Sequence, residues 1–108
     1  MRTAQTTLTV EDALHANPRD RRRTAVALAA AALVPDGVIS VDHGDSLSYV
    51  FPGGRRMTVW HPEDIRDRIA GFYAGRASAR PVTFGLLVPT EADVEAARAS
   101  TQETEIAA

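Results

Sequence analysis

The stretch VISVDHGDSLSYVFPGGRRMTVW, residues 38–60, constrains the fold of this chain more than any other. Apolar and polar residues alternate along it, and glycine-containing turns break it twice. Alternation with period two marks strands that bury one face. Three such strands joined by two tight turns make an antiparallel meander. A three-residue loop at His43-Gly44-Asp45 pairs Asp42 with Ser46, Val41 with Leu47, Ser40 with Ser48 and Ile39 with Tyr49. A second three-residue loop, Pro52-Gly53-Gly54, pairs Val50 with Arg56, Tyr49 with Met57, Ser48 with Thr58 and Leu47 with Val59. Directly opposed residues share a face. One face then collects Ile39, Val41, Leu47, Tyr49, Phe51, Met57 and Val59. The other collects Ser40, Asp42, Ser46, Ser48, Arg56 and Thr58, with Val38, Val50 and Trp60 as apolar exceptions. A slip of one residue inverts a strand's burial, so this segregation selects three-residue loops at both turns.

Helices flank the meander. Thr9 and Asp12 have the spacing of a capping box, and a short helix is expected over residues 9–16. Asn17-Pro18 closes it and opens a second helix, residues 18–34, with Asp20 in its first turn. Pro35-Asp36-Gly37 stops that helix. After the meander, Pro62, Glu63 and Asp64 start a third helix with an apolar stripe of Ile65, Ile69, Phe72 and Tyr73, ending near Gly75. PVTFGLLVP, residues 81–89, reads as a fourth strand. A right-handed crossover would lay it parallel to the third. Thr90 and Asp93 open a final helix to about residue 99. Residues 1–8 and 101–108 lack a pattern and are expected to fray. The expectation is a small α+β fold, one domain over residues 1–108 with its ordered body at 9–100.

Composition narrows the function. A chain of 108 residues, 44% hydrophobic and 24% charged, suits one soluble domain with a real core. The absence of cysteine excludes disulfides, thiolate metal sites and a cysteine nucleophile, and fits a reducing compartment. The longest apolar run, residues 25–34, is too short to span a membrane, and no signal-like segment opens the chain. A cytoplasmic location is therefore expected. A net charge of −2 and a pI of 5.9 argue against a strongly basic nucleic-acid binder.

Residues with chemical potential are few. His43-Gly44-Asp45-Ser46 holds an imidazole, a carboxylate and a hydroxyl, but turn formation explains each of them. Neither this segment nor Asp42 to Asp45 has the spacing of a calcium loop, and three scattered histidines lack zinc spacing. His61 and His15 read as helix-boundary residues. FPGGRR lacks the lysine and following helix of a phosphate loop. No paired carboxylates, nucleophile–base spacing or cofactor motif emerges, so the expectation is a non-enzyme with no cofactor, metal or small-molecule ligand.

All twelve cations are arginine, which coding bias explains together with the alanine excess. Four of them, Arg19, Arg21, Arg22 and Arg23, fall in the first turns of the expected 18–34 helix. There they oppose the helix dipole unless an anion docks beside them. Two functions of different class follow. The preferred one is a protein-binding module, an accessory, adaptor or regulatory subunit. It would dock a partner or a second copy on the outer sheet face, at Val38, Val50, Arg56 and Trp60, and on the alanine-rich helix. The alternative is a winged-helix-like DNA-binding regulator. It would use the four clustered arginines at the start of a recognition helix, with Arg55 on phosphates from a hairpin turn. The apolar helix after Thr24 and the acidic chain weigh against DNA.

Overall fold

The computed structural model describes residues 1–17, 19–75 and 81–107, with side chains for all of these except 10, 74–75 and 100–107. The chain is an α+β fold. In order, its elements are β1 (Arg2–Leu8), α1 (Val10–His15), α2 (Ala25–Ala31), β2 (Ile39–Asp42), β3 (Ser46–Val50), β4 (Arg56–Trp60), α3 (Glu63–Gly75), β5 (Val82–Val88) and α4 (Glu91–Ala107). The strands form a two-stranded sheet, β1–β5, and a three-stranded antiparallel meander, β2–β3–β4.

Local capping chemistry sets several boundaries. The Thr9 hydroxyl accepts from the Asp12 N–H while the Thr9 N–H donates to Asp12 Oδ2 at 2.7 Å, the reciprocal box expected from sequence. Thr90 and Asp93 repeat it at α4, where the Thr90 N–H reaches Asp93 Oδ2 at 2.7 Å. The backbone of α4 runs to Ala107, beyond the end expected near residue 99; Ala108 lies outside the described residues.

Four expectations are corrected. Residues 2–8, expected to fray, form β1 and pair antiparallel with β5, Ala4 opposite Leu86 and Leu8 opposite Val82. Threonines favour strand, and Ala4 and Leu8 bury themselves on alternate positions of a strand that is polar elsewhere. In consequence β5 is not parallel to β4, because β1 supplies its partner. The helix expected from residue 18 begins only at Ala25, capped by Thr24, whose hydroxyl accepts from the Ala27 N–H. Before it, residues 19–24 are a turn segment in which Asn17 Oδ1 and Asp20 Oδ1 accept from the Arg19 and Arg22 N–H groups. Short polar side chains here satisfy the backbone locally, which competes with helix.

The fourth correction concerns the register of β2. The β3–β4 half stands as expected, with Tyr49 opposite Met57, Ser48 opposite Thr58 and Val50 opposite Arg56. The Pro52-Gly53-Gly54 loop is there too, closed by the Phe51 N–H donating to the Arg55 carbonyl at 2.8 Å. The first loop is one residue shorter. Ser40 faces Tyr49, Val41 faces Ser48, Asp42 faces Leu47 and Ile39 faces Val50. His43 and Ser46 close a two-residue Gly44-Asp45 turn, the His43 N–H donating to the Ser46 carbonyl at 3.0 Å. Gly44 has φ +89°, and glycine at the first position of a two-residue hairpin turn is a favoured solution. The slip turns β2 over. Ser40 and Asp42 face the core, with Val38 buried just before the strand, while Ile39 and Val41 face outward.

Asp42 explains why this polar-inward strand is tolerated. Its buried carboxylate accepts from the Thr24 hydroxyl at 2.7 Å, the Gly44 N–H at 2.8 Å and the Tyr73 hydroxyl at 3.4 Å. Tyr73 in turn accepts from the Val26 N–H at 3.3 Å, and burial of its hydroxyl raises its pKa. The outer edge of β2 is met by the loop, the Asp42 N–H donating to the Arg21 carbonyl at 2.8 Å. Ser40 Oγ, also buried, has no partner among the described residues.

Around this network the core gathers Leu8 from β1, Phe84, Leu86 and Val88 from β5, Leu47, Tyr49 and Phe51 from the meander, Val26 and Ala30 from α2, and Ile69 and Phe72 from α3. The Tyr49 hydroxyl donates to the Leu87 carbonyl at 2.7 Å and so joins the two sheets; burial pushes its pKa well up.

Replacing Asp42 with alanine strands three donors, and unfolding in urea should show a loss of about 2–4 kcal/mol. Tyr73→Phe should lose about 1 kcal/mol in the same assay. An Asp42→Ala protein as stable as the parent would mean that the carboxylate holds nothing together. Tyr49→Ala should cost about 3–5 kcal/mol, as large aromatic truncations in cores do.

Candidate functional site

The outer face of the meander is ordered in three rungs by its register. The first rung is Ile39, Val50 and Arg56; the second is Val41, Ser48 and Thr58; the third is Ser46 and Trp60. Trp60 is 68% exposed and Ile39 40% exposed, both large apolar side chains on this face. Val41 and Val50 are half-buried, and Arg56 and Thr58 are exposed. The residues expected to form an interface are therefore divided. Val50 and Arg56 are neighbours, Trp60 lies at the opposite end of the same strand, and Val38 is in the core. Val38 fails because the shorter turn flips β2. Ile39 and Val41, assigned to the core from sequence, take its place on the outer face.

In the central rung Ser48 and Thr58 are polar and hydrogen-bonded, beside the apolar Val41. His43 Nε2 lies 2.9 Å from Ser48 Oγ, and Ser48 Oγ lies 2.9 Å from Thr58 Oγ1. Arg21 Nη1 approaches His43 Nδ1 at 3.5 Å. Ser48 is 1% exposed, so its hydroxyl is met by His43 on one side and Thr58 on the other rather than by water.

The arginines do not form one patch. Arg19, Arg21, Arg22 and Arg23 are exposed around the turn before α2, where Arg23 Nε lies 3.7 Å from Asp20 Oδ2. Arg21 is carried to the His43 end of the meander. Arg55 follows the other hairpin turn, at the far end of β3, about 16 Å away at the rise of a five-residue strand. None of the four clustered arginines lies in a helix.

An open cleft of about 520 Å³ runs between the Gly44-Asp45 turn and α3, lined by Glu63, Arg66, Asp67, Ile69, Ala70 and Tyr73. The His61 N–H donates to the Asp45 carbonyl at 3.0 Å. Its ring is buried, and Nε2 has no partner among the described residues. Burial lowers its pKa, opposed by Asp42 and Asp45 and reinforced by Arg66. Among the described residues no group of three or more His, Asp or Glu side chains is placed to hold a metal ion, and no helix is long and apolar enough to cross a membrane.

Comparison with protein-family models, curated proteins and solved structures finds no match. The outer face therefore stands on its own geometry.

His61 generates a pH prediction. Folding favours its neutral ring, so the unfolded chain binds the proton more readily. Stability should fall as pH drops below the ordinary histidine range near about 6.5. Urea midpoints at pH 7 and pH 5.5 should differ in the parent and converge in His61→Gln. An equal pH response in both proteins would exclude His61 as its source.

Proposed function

We propose that this chain is a non-enzymatic protein-binding module, an accessory or regulatory subunit that docks its partner on the outer face of β2–β3–β4. One observation carries the assignment: Trp60, the single tryptophan, is 68% exposed on a regular strand. Leaving such a side chain in water forfeits about 2–3 kcal/mol of burial. Tryptophan and arginine are the residues most often found to dominate binding energy, and β4 carries one of each. Ile39, Val41 and Val50 add apolar area, and Ser48 and Thr58 set hydrogen-bonded polar groups among them. The alanine-rich helix plays a lesser part than the sheet, because Ala25, Val26, Ala27 and Ala30 of α2 are buried in the chain's own core. DNA binding draws less support. It needs arginines in the first turns of a recognition helix, and those arginines precede α2 in a turn segment.

Trp60→Ser should leave the stability of the isolated chain within about 1 kcal/mol of the parent. Iodide should quench the tryptophan of the dilute parent strongly. Weak quenching, together with a large stability loss in the variant, would make Trp60 an ordinary core residue and remove the docking face.

A further inference from the structure

β4 is an edge strand of the meander, and its alternation can be read from two hydrogen bonds. The Arg55 carbonyl and the His61 N–H both bond toward β3, to the Phe51 N–H and the Asp45 carbonyl. Successive residues of a strand point their N–H and C=O groups to opposite sides. Met57 and Val59 therefore bond β3, and the backbone groups of Arg56, Thr58 and Trp60 point to the other edge, which no strand pairs among the described residues. Soluble proteins blunt such edges with proline, bulges, inward charges or a covering segment. In β4 the inward residues are Met57 and Val59, both apolar and half-buried, and the strand contains no proline. The opposite edge of the same sheet is protected, because the Arg21 carbonyl meets the Asp42 N–H there.

The five residues are also self-complementary about their centre. Placed antiparallel to a copy of itself with Thr58 opposite Thr58, the strand sets Arg56 against Trp60 and Met57 against Val59. In that register all the edge-pointing backbone groups face one another. Directly opposed cross-strand residues are close enough for a guanidinium to lie over an indole, and two-fold symmetry makes that pair twice. Slipping the register by one residue would face bonding groups with non-bonding ones, and a slip by two, which moves the axis to Met57 or Val59, would leave part of the strand unpaired.

Resting on the docking-face assignment above, we propose that the occupant is a second copy of this chain. The two β4 strands join antiparallel about Thr58, making one six-stranded sheet with Arg56 of each copy on Trp60 of the other. Two tryptophans of about 150–250 Å² each and a short strand pair fall well short of the roughly 1,600 Å² of a standard stable interface. The dimer is therefore concentration-dependent.

Sedimentation equilibrium of the whole chain over a concentration series tests this, with iodide quenching of Trp60 on the same samples. The expected result is a reversible dimer whose formation reduces quenching. Thr58→Pro removes an edge-pointing N–H without touching a bond to β3, and should weaken the dimer at least tenfold. Trp60→Arg should do the same by opposing Arg56 with arginine. The exchanged variant Arg56→Trp/Trp60→Arg keeps the cross-strand pair and should recover the dimer, with circular dichroism confirming that each variant is folded. A dimer indifferent to Thr58→Pro and Trp60→Arg forms elsewhere and overturns the proposal. So does a chain that stays monomeric up to about 1 mM. If Trp60 is freely quenched in that monomer, the second copy is wrong and the docking face survives. If it resists quenching, the docking face falls too.

Discussion

The Asp42 carboxylate is the contact on which the rest of the meander depends. It sits under the sheet and accepts from Thr24, Gly44 and Tyr73. Those donors belong to the N-cap of α2, the β2–β3 turn and α3. One side chain therefore fixes where a helix starts, how tight a turn is and which way a strand faces. A buried carboxylate is expensive unless it is fully hydrogen-bonded. Here the hydrogen bonds come from segments far apart in sequence, so the register of β2 and the packing of α2 and α3 are set together.

That dependence also marks how far the sequence was legible. The β3–β4 hairpin could be read because Pro52-Gly53-Gly54 and the alternation from Leu47 to Val59 favour the same register. Both capping boxes could be read because Thr9–Asp12 and Thr90–Asp93 are local. The β2 register is not legible locally, because Ile39 and Val41 have the chemistry of core residues and Ser40 and Asp42 that of surface. The partners that reverse this, Thr24 and Tyr73, lie 18 and 31 residues from Asp42. The late start of α2 did have a local signal: Thr24 stands directly before an apolar run and caps it. β1 had only its threonines and the alternating Ala4 and Leu8. Its identity as a strand depends on β5, eighty residues on.

The same slip redraws the candidate surface. Trp60, Val50 and Arg56 stay outside because the β3–β4 register was legible. Val38 leaves for the core, and Ile39 and Val41 replace it. The apolar area of the outer face thus exists because a polar pair, Ser40 and Asp42, was taken inward. Fold and proposed function share one cause: the donors that hold Asp42 inside also push two β-branched side chains out.

Cross-strand Hα–Hα contacts by nuclear Overhauser spectroscopy test that cause most directly. In an antiparallel pair the residues that exchange no hydrogen bonds have the closest Cα atoms. With His43 and Ser46 bonded at the turn, those residues are Asp42 with Leu47 and Ser40 with Tyr49. Strong contacts between these two pairs are predicted. Strong contacts between Val41 and Leu47 and between Ile39 and Tyr49 would instead turn Asp42 outward and Ile39 and Val41 inward, contradicting the carboxylate network and the surface built on it.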